Sequence, residues 1–434
     1  MNKSNLKIDI LKLNHFLNAR KITKKQILSK KKSLHKKIVS NKNFIATSGE
    51  IDFLNKKISI PLEKIKFKQE LPDYIYWNFD KIKKTKRPIN RNGIHFYNYY
   101  SLPTPPEFIG PVILDILCPK NIMPKLNNGH LEQAITVNLG PSDIFGRWGV
   151  KKNKVNFSKM RFNSSKKNSW IIGDTYVEPA YCPHSYSRAE DTGSQILSYT
   201  AKSPIEKFVK SLNNCSKETF GNLIKDLKKG KILTSLLSFY LKNRGIDFKY
   251  LSKLNNHKIS NLKQILNNKN LLKKTCKLLS IDYNLFFENE YNEDQIGKTY
   301  MSFTDSFKTI RKFKSYYVAS MASTSRYPDL YGLFIKVKNS KPVKDFLDYA
   351  CSHYLVTQGV MKFHVNNKKI LIKKGDAIWV PSFKKHGFSG NGSLMKLVNG
   401  ENVDTNDLTQ ISKLYNPIKT LVRSYKDEKS WGYD

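Results

Sequence analysis

The sequence is poor in cysteine. Five cysteines occur among 434 residues, odd in number, scattered and without a C-x-x-C pair: Cys118, Cys182, Cys215, Cys276 and Cys351. This pattern excludes a disulfide framework as the source of stability, and it predicts free thiols in a reducing compartment.

Long apolar runs are also absent. The most apolar stretch, "GPVILDILC", is short and interrupted by Asp115, and the N-terminal "MNKSNLKIDILKLN" lacks the continuous apolar segment of a signal peptide. We therefore expect no membrane span, and a soluble cytoplasmic protein.

Acidic residues are scarce, with 35 against 76 basic ones, which gives a net charge of +41. Such an excess alone indicates a nucleic-acid or anionic-surface partner. The excess is mostly lysine, however, spread over the whole length together with abundant Asn and Ile, as biased codon composition also produces. Because no focused Arg-rich patch occurs, we do not expect direct nucleic-acid binding. Hydrophobic residues at 39% suffice for packed interiors, and the length predicts two or more domains.

The two halves of the chain resemble each other. The segment "LNHFLNARKITKKQILSK" (13–30) aligns with "LSFYLKNRGIDFKYLSK" (237–253), and both place apolar residues at helical spacing around a short turn. Each predicts a small helix-turn-helix-like bundle. A further amphipathic pattern, at 261–287, extends the second bundle.

A β-rich stretch follows each bundle. A Gly-Asp pair precedes a histidine at the same spacing in both copies, and "AITVNLG" (134–140) aligns with "HYLVTQG" (353–359). The segment "YLVTQGVMKFHVNNKKILIKKGDAIWVPSFKKHGF" resembles the cupin motifs, which implies an antiparallel barrel with a metal in its mouth. We therefore predict an α+β bicupin of two tandem repeats, with helical bundles at 1–72 and 203–295 and barrels at 73–202 and 296–434.

The first β-rich stretch holds candidate metal ligands. Glu178 and His184 flank a turn bounded by Pro179 and Pro183, which stiffens the connection between them. His130, shortly before the strand 134–140, is the third candidate. Two imidazoles and one carboxylate are the ligand set of non-haem Fe(II) oxygenases, which leave positions open for substrate and O₂. Zinc uses the same residue types, but a closed tetrahedral zinc site leaves less room for a chelating substrate.

The second copy has lost most of this set. Val380 stands at the position of Glu178, and counting back from the paired glycines places Tyr349 at the position of His130. Only His184 has a histidine counterpart, His386. A functional site kept in one repeat predicts this asymmetry, so we expect one metal site and a metal-free second barrel.

Several long motifs carry a specific resemblance. "RPINRNGIHFYNYYSLPTPP", "LNNGHLEQAITVNLGPSDIFGRWG", "GDTYVEPAYCPHSYS", "SYTAKS", "GKTY", "HYLVTQG" and the C-terminal "WGYD" occur in order over nearly the whole chain. Together they resemble the 2-hydroxyethylphosphonate dioxygenase and methylphosphonate synthase family, and the dioxygenases most closely. The resemblance implies a bicupin that binds Fe(II) and uses O₂ to cleave 2-hydroxyethylphosphonate into hydroxymethylphosphonate and formate.

The resemblance also implies roles for individual residues. The iron ligands correspond to His130, Glu178 and His184, of which Glu178 and His184 also act in catalysis. The groups that bind or orient the substrate correspond to Lys21, Arg91, Tyr99, Asn127, Ser198, Tyr354 and Lys396, with Lys21 and Tyr99 also taking part in catalysis. Tyr354 and Lys396 would reach the pocket from the second half. A phosphonate dianion inside a barrel needs several cationic and hydrogen-bonding donors at once.

Two alternatives remain. In methylphosphonate synthases a Gln lies four residues after the first His, and an apolar residue replaces the carboxylate; here those positions hold Ala134 and Glu178. Gln133 is three residues after His130 and points away in a regular strand, unless a bulge intervenes. The other alternative is a DNA-binding regulator with cupin sensor domains. The sequence leaves the oligomeric state open, a homo-oligomer included.

Overall fold

The structure is a computed structural model. It describes residues 6–67, 70–91, 93–120, 122, 124–151, 154–166, 168–212, 214–228, 232–287, 293–294 and 296–425. The "WGYD" motif and the side chain of Arg91 lie outside this description. Among the described residues, no helix combines the length and the apolar character needed to cross a membrane.

The chain begins with a small helical region. Its elements are β1 (Leu6–Ile8), α1 (Ile10–Ala19), α2 (Lys24–Leu28), α3 (Lys32–Val39), β2 (Phe44–Ala46), α4 (Ser48–Asp52), a π-helical turn (Phe53–Lys57) and α5 (Leu62–Ile65). The Thr23 hydroxyl accepts from the Gln26 main chain while the Gln26 side chain accepts from the Thr23 N–H, and this capping box starts α2. Leu13, Leu17 and Ile27 are buried in the shared core, so the helices form where their apolar spacing predicted them.

A first β-rich segment follows. Its elements are β3 (Ile75–Trp77), α6 (Phe79–Lys83), β4 (Arg87–Arg91), β5 (Ile94–Ser101), β6 (Val112–Ile116), β7 (Ala134–Gly140), β8 (Ile144–Lys151), β9 (Lys154–Met160), β10 (Thr175–Glu178), β11 (His184–Arg188) and β12 (Ser194–Thr200).

A second helical region comes next. Its elements are α7 (Glu206–Leu212), α8 (Lys217–Lys228), α9 (Ile232–Asn243), α10 (Phe248–Asn255), α11 (Leu262–Asn267), α12 (Lys269–Leu279) and a 3₁₀ turn (Tyr283–Phe286). The N–H of Ile246 donates to the Leu241 carbonyl at 2.9 Å, just as Ile22 donates to Leu17 at 2.9 Å in the first helical region. The two aligned segments thus make the same helix-ending turn.

The chain ends in a second β-rich segment. Its elements are β13 (Thr299–Met301), α13 (Phe303–Lys308), β14 (Arg311–Phe313), β15 (Tyr316–Ser320), β16 (Leu330–Asn339), β17 (Ser352–Val365), β18 (Lys368–Lys373), β19 (Ala377–Val380), β20 (His386–Asn399), α14 (Thr405–Ser412) and α15 (Pro417–Tyr425).

The strands form two antiparallel β-regions. The first β-region combines a seven-stranded sheet, ordered β13-β10-β7-β12-β6-β5-β4, with a three-stranded sheet, β11-β8-β9. The second β-region is an eight-stranded sheet, ordered β14-β15-β16-β20-β17-β19-β3, with β18 paired to β17. Helices and antiparallel sheets occur in one chain, so the α+β class is as predicted, and the first β-region is cupin-like.

Each β-region contains one strand from the other half of the chain. Strand β13 pairs with β10 of the first β-region, and β3 pairs with β19 of the second. The same contact anchors both exchanges: the Asp174 carboxylate accepts from the Phe303 N–H, and the Asp376 carboxylate accepts from the Phe79 N–H. The predicted barrel segments 73–202 and 296–434 therefore each contain one strand that pairs with the other β-region. Strand β3 pairs within the second β-region, and β13 pairs within the first.

Alternate residues of the central strands face different cores. In the first β-region, Ile135 and Val177 pack against Leu355 and Met395 of the second β-region. Successive strand residues point to opposite faces, so Tyr176 and Glu178 face away from this contact. Tyr176 belongs to a separate core inside the first β-region. Each β-region thus has its own interior, and an apolar layer separates the two.

Candidate metal centre

The carboxylate of the candidate site lies at the end of β10. Glu178 is the last residue of that strand, directly opposite Ala134 of β7, and its side chain is 1% exposed. The indole Nε1–H of Trp148 donates to Glu178 Oε2 at 3.1 Å. One carboxylate oxygen is therefore held by the protein, and the other, Oε1, faces the two histidines.

The two histidines approach Oε1 from different elements. Nε2 of His130 lies 3.5 Å from Glu178 Oε1, and Nδ1 of His184 lies 3.4 Å from the same oxygen. One ligand atom from each of the three residues fits within a span of 4.8 Å. The structure thus brings together the three residues that the sequence singled out as ligands.

The loop that carries His130 is attached to the Glu178–His184 turn. The His130 carbonyl accepts from the N–H of Tyr181, which lies in that turn, at 2.6 Å. The neighbouring Gly129 has a φ of +70°, and a Cβ at that position would lie 2.6 Å from the Tyr181 carbonyl carbon. Glycine is therefore required where the two loops meet, and this contact fixes the distance between His130 and the other two ligands.

Main-chain carbonyls orient both imidazoles. Nδ1 of His130 lies 2.5 Å from the Glu132 carbonyl, and Nδ1 of His184 lies 2.9 Å from the Cys182 carbonyl. A proton on each Nδ1 donates to its carbonyl, which leaves each Nε2 lone pair for a metal. Nε2 of His184 is 2.9 Å from the Asn127 amide nitrogen. A metal at that Nε2 would take the place of this amide donor.

The exposure of the three side chains is graded. Glu178 is buried, His184 is 12% exposed and His130 is 32% exposed. The open side of the site is therefore the His130 side. The nearby Glu178 carboxylate raises the pKa of His130, because its negative charge stabilises a positive charge beside it. Two neutral imidazoles, one carboxylate and an open side fit a divalent ion such as Fe(II).

Of the implied substrate-binding residues, Asn127 contacts the triad directly, and Tyr99 is linked to it through intervening residues. Asn127 holds the His184 main chain, since its Oδ1 accepts from the His184 N–H at 2.9 Å. Tyr99 lies in β5 and packs in the core of the first β-region, with its ring centroid 6.4 Å from that of Tyr97. The Tyr97 hydroxyl in turn donates to the carbonyl of Tyr186, whose ring is 5.7 Å from that of His184. Tyr99 thus connects to His184 through two aromatic neighbours, Tyr97 and Tyr186.

The remaining candidates of the first half, Ser198, Arg91 and Lys21, lie in three different parts of the fold. Ser198 of β12 accepts a hydrogen bond from Thr136 of β7 at 3.4 Å, two residues along β7 from Ala134. Arg91 ends β4, and only its main chain is described. Lys21 lies at the exposed end of α1 with a φ of +56°. The roles of Arg91 and Lys21 in the pocket stay predictions.

Tyr354 and Lys396 have a different location from the one expected. Both are buried in the second β-region, where the Tyr354 hydroxyl lies 2.6 Å from Nε2 of His386 and Lys396 Nζ pairs with Asp348. Their strand neighbours Leu355 and Met395 face the first β-region, so alternation turns Tyr354 and Lys396 away from it. The structure therefore places these two side chains in the second interior and not beside the triad.

The repeat alignment also needs a correction. The carbonyl of Asp348 accepts from the N–H of Phe383, the residue three after Val380, as the His130 carbonyl accepts from Tyr181, three after Glu178. The counterpart of His130 is therefore Asp348 and not Tyr349. Counting back from the two glycines gives the wrong residue because Gly140 and Gly359 are not at equivalent positions. Gly140 pairs with Gln195 on β12, and the equivalent pair with β20 is formed by Gln358, one residue before Gly359.

The structure agrees with the predicted orientation of Gln133. Its side-chain amide donates to the Lys202 carbonyl at 3.3 Å, and its own carbonyl accepts from the Ala201 N–H. Ala134, not Gln133, lies opposite Glu178. A Gln ligand at position 134 would face the site, as the synthase pattern requires, and this chain has alanine there.

Sequence reasoning missed two residues of the site. Trp148, in "GRWG", holds Glu178, and Lys298, in "GKTY", lies 4.1 Å above the Trp148 ring. Both stood inside motifs that carry the family resemblance. Without the fold, nothing distinguished them from core or surface residues.

Known proteins are similar to this chain in sequence and fold. A family model described as the 2-hydroxyethylphosphonate dioxygenase cupin-like domain matches residues 83–201. The 2-hydroxyethylphosphonate dioxygenase of Streptomyces viridochromogenes is 36% identical over 371 residues, 83% of either chain. The structure of PhpD with cadmium and hydroethylphosphonate (HEP) is 32% identical, with a TM-score of 0.84 over 96% of this chain and 100% of that one.

A more distant structure shares the fold. The 2-hydroxyethylphosphonate dioxygenase of Streptomyces albus, solved with 2-hydroxyethylphosphonate and Fe(II), has a TM-score of 0.77 at 13% identity, covering 97% of this chain and 98% of that one. The fold is thus kept where little sequence is shared. From its identity to the Streptomyces viridochromogenes protein and the extent of the match, the chain belongs to the 2-hydroxyethylphosphonate dioxygenase family.

Proposed function

We propose that the protein is an Fe(II)-dependent dioxygenase that cleaves the C–C bond of 2-hydroxyethylphosphonate with O₂. The products are hydroxymethylphosphonate and formate, so both oxygen atoms and all four electrons are accounted for without a further reductant. The observation that carries the proposal is the His130, Glu178 and His184 triad, assembled within 4.8 Å in a chain 36% identical to a known dioxygenase.

His130, Glu178 and His184 would hold the iron. When bound, Fe(II) supplies open coordination positions and the redox chemistry of O₂. The protein contributes a fixed ligand set: the Glu132 and Cys182 carbonyls hold the two rings, and Trp148 holds the second oxygen of Glu178. Such outer contacts fix ligand orientation.

The substrate would enter from the His130 side, where the site is open. Its phosphonate dianion needs donors, and Asn127, Tyr99 and Ser198 would supply an amide and two hydroxyl groups. Metal binding at Nε2 of His184 would release the Asn127 amide, now 2.9 Å from that nitrogen, for the substrate. Arg91 and Lys21 would add the positive charge that balances the dianion.

We do not assign Tyr354 and Lys396 to this pocket, because they contact His386 and Asp348 in the other interior. The apolar wall of the site comes from Trp148, Tyr176 and Tyr186, which are buried together. A wall of this kind excludes water from the reacting groups.

We also propose that the chain is a bicupin made of two repeats, each a helical region followed by a barrel. Matched contacts support this proposal. The helix-ending hydrogen bond of Ile22 is repeated by Ile246, and the main-chain hydrogen bond that Asp174 accepts is repeated by Asp376. Helix-turn-helix character of the helical regions and a cytoplasmic location stay predictions, and the oligomeric state stays open.

Product analysis tests the function. Iron-loaded protein prepared without oxygen, then given ¹³C-labelled 2-hydroxyethylphosphonate and O₂, should yield hydroxymethylphosphonate by ³¹P NMR and formate by ¹³C NMR. Methylphosphonate with carbon dioxide as the main products would make the chain a synthase despite Ala134 and Glu178. A salt-sensitive shift of DNA mobility without O₂ uptake would favour the regulator alternative instead.

A further inference from the structure

A buried lysine from the second half of the chain lies over the residue that holds Glu178. Lys298 immediately precedes β13, the strand that the second half contributes to the first β-region, and it is only 4% exposed. Its Nζ lies 4.1 Å from the centroid of the Trp148 ring, while its acidic neighbour Asp294 is 3.8 Å away. Burial lowers the pKa of Lys298. The aromatic face is thus a close partner of this ammonium.

Trp148 connects this lysine to two of the metal ligands. Its Nε1–H donates to Glu178 Oε2 at 3.1 Å, and Trp148 is the direct cross-strand partner of His184. The ring is fixed by Tyr176, whose centroid is 4.8 Å away. The indole therefore has an ammonium on its face and a carboxylate on its edge.

This arrangement has a defined electronic consequence. A cation over an aromatic face is attracted by the ring quadrupole, and it draws electron density from the indole, which makes the N–H a better hydrogen-bond donor. A stronger N–H donor holds Oε2 more firmly and leaves Oε1 as the oxygen directed at His130 and His184.

We propose that Lys298 is a positioning residue of the metal centre, acting through Trp148 to keep Glu178 bound to the metal by one oxygen. The inference rests on the proposed metal site, but the contact between Lys298, Trp148 and Glu178 exists without a metal. It can therefore be tested separately from the reaction.

The second half of the molecule argues against a purely structural role. The exchanged strand β3 is matched to β13 by the Phe79 and Phe303 anchors, which places Tyr74 at the position of Lys298. Tyr74 packs edge-on against Phe363, with ring centroids 5.9 Å apart. The strand exchange itself thus accepts an aromatic residue at this position, and the buried ammonium occurs where the triad is present.

The first experiment observes the indole directly in metal-free protein. The chain has five tryptophans, so ¹⁵N-tryptophan labelling gives five indole N–H signals, and Trp148→Phe identifies the one of interest. In Lys298→Met this signal should move upfield and exchange faster with solvent. Lys298→Arg, which keeps the charge, should stay near the native position. Lys202→Met is the matched control, because Lys202 also makes an ion pair, with Asp404, away from the triad.

The second experiment observes the metal. In Co(II)-substituted protein, release of Oε2 lets Glu178 bind through both oxygens, and the higher coordination number weakens the visible absorption. Lys298→Met and Trp148→Phe should both show this loss, and the double variant should show no more than the larger of the two. If Lys298→Met does not fold, Lys298→Gln carries the same expectations.

Two results would overturn the inference. One is a native indole signal and a native Co(II) spectrum in Lys298→Met. The other is independent, additive changes in the double variant. Failure of the proposed function would appear differently: the Lys298 variants would show the expected spectral changes, but the wild-type protein would give the wrong products.

Discussion

Each β-region has a histidine at the matched position, His184 in the first and His386 in the second. The two imidazoles are oriented in the same way but have different neighbours. His386, like His184, places its Nδ1 next to a carbonyl two residues earlier, that of Lys384, at 2.7 Å. Nε2 of His184 faces the Asn127 amide beside an open site, whereas Nε2 of His386 is taken by the Tyr354 hydroxyl. The scaffold that prepares an imidazole for a metal is thus kept in both regions, and the neighbours decide whether a metal can reach it.

The second interior supplies its own cation. Asp348, the counterpart of His130, forms an ion pair with Lys396, and Phe346 stacks on His386 with centroids 5.8 Å apart. By strand register Lys396 occupies the position that Ser198 has in the first β-region, since Ser198 pairs with Thr136 and Lys396 with Tyr354. A buried carboxylate requires a positive partner. In the proposed site a metal would take that role in the first region, whereas in the second region Lys396 takes it.

The largest contrast should come from the ligand position itself. Glu178→Ala should reduce iron binding and turnover more than 100-fold, beyond the roughly 10- to 100-fold cost of outer contacts, because two imidazoles remain and Trp148 loses its acceptor. Val380→Ala, at the matched position, should leave the iron content at about one per chain. Iron per chain after reconstitution and O₂ uptake measure both. Native iron content in Glu178→Ala would show that Glu178 is not an iron ligand.

The next effect concerns stability. Lys396→Met leaves the Asp348 carboxylate, which is only 12% exposed, without its cation, which should lower the free energy of unfolding by about 3–5 kcal/mol. Ser198→Ala, at the matched position, should cost only about 1 kcal/mol. Adding Asp348→Asn to Lys396→Met should restore part of the loss. Urea denaturation followed by circular dichroism measures all of these variants, and equal stability of the two single variants would contradict the matched roles.

A transplant sharpens the comparison. Three substitutions give the second region the residues found at matched positions of the first: Val380→Glu, Lys396→Ser and Tyr354→Thr. The variant should bind a second divalent ion through Asp348, Glu at 380 and His386. At a hundredfold excess over the dissociation constant, that ion should stabilise the fold by about 2.7 kcal/mol. Metal analysis should give two ions per chain, and a ratio that stays at one would refute the matched geometry.

The smallest effect is a pH dependence confined to the second region. Burial lowers the pKa of His386 to about 4, so the unfolded chain takes up the proton first as pH falls below about 6.5. Stability is therefore full above that pH and is lost on the way to about pH 4, by on the order of 1–3 kcal/mol. His386→Gln should reduce this slope, and the part that remains should come from His353, whose pKa burial lowers to about 3. An unchanged slope between pH 6.5 and 4 would show that other groups cause it.

How much the sequence could predict depends on the range of each interaction. Glu178 and His184 are six residues apart around one turn, so a local pattern was enough to pair them. The helical cores around Leu17 and Leu241 likewise follow from spacing, because the apolar faces are local. These elements formed as predicted.

The rest depended on long-range geometry. The direction of the Tyr354 side chain depends on which sheet packs against its neighbour Leu355, and that sheet is formed by residues far away in the chain. The match of His130 to Asp348 needed the strand register, because Gly140 and Gly359 look alike in sequence and occupy neighbouring, unequal positions. Lys298 reaches Trp148 only because β13 leaves its own half.

That exchange of strands has a consequence for how the chain folds. Either half alone would lack one strand of its own barrel and would offer a strand to a partner. A single half with this strand placement could complete its sheets only by swapping strands in a dimer. In the present chain the same interlock makes neither barrel complete until both halves are synthesised, so their unfolding should be a single cooperative event.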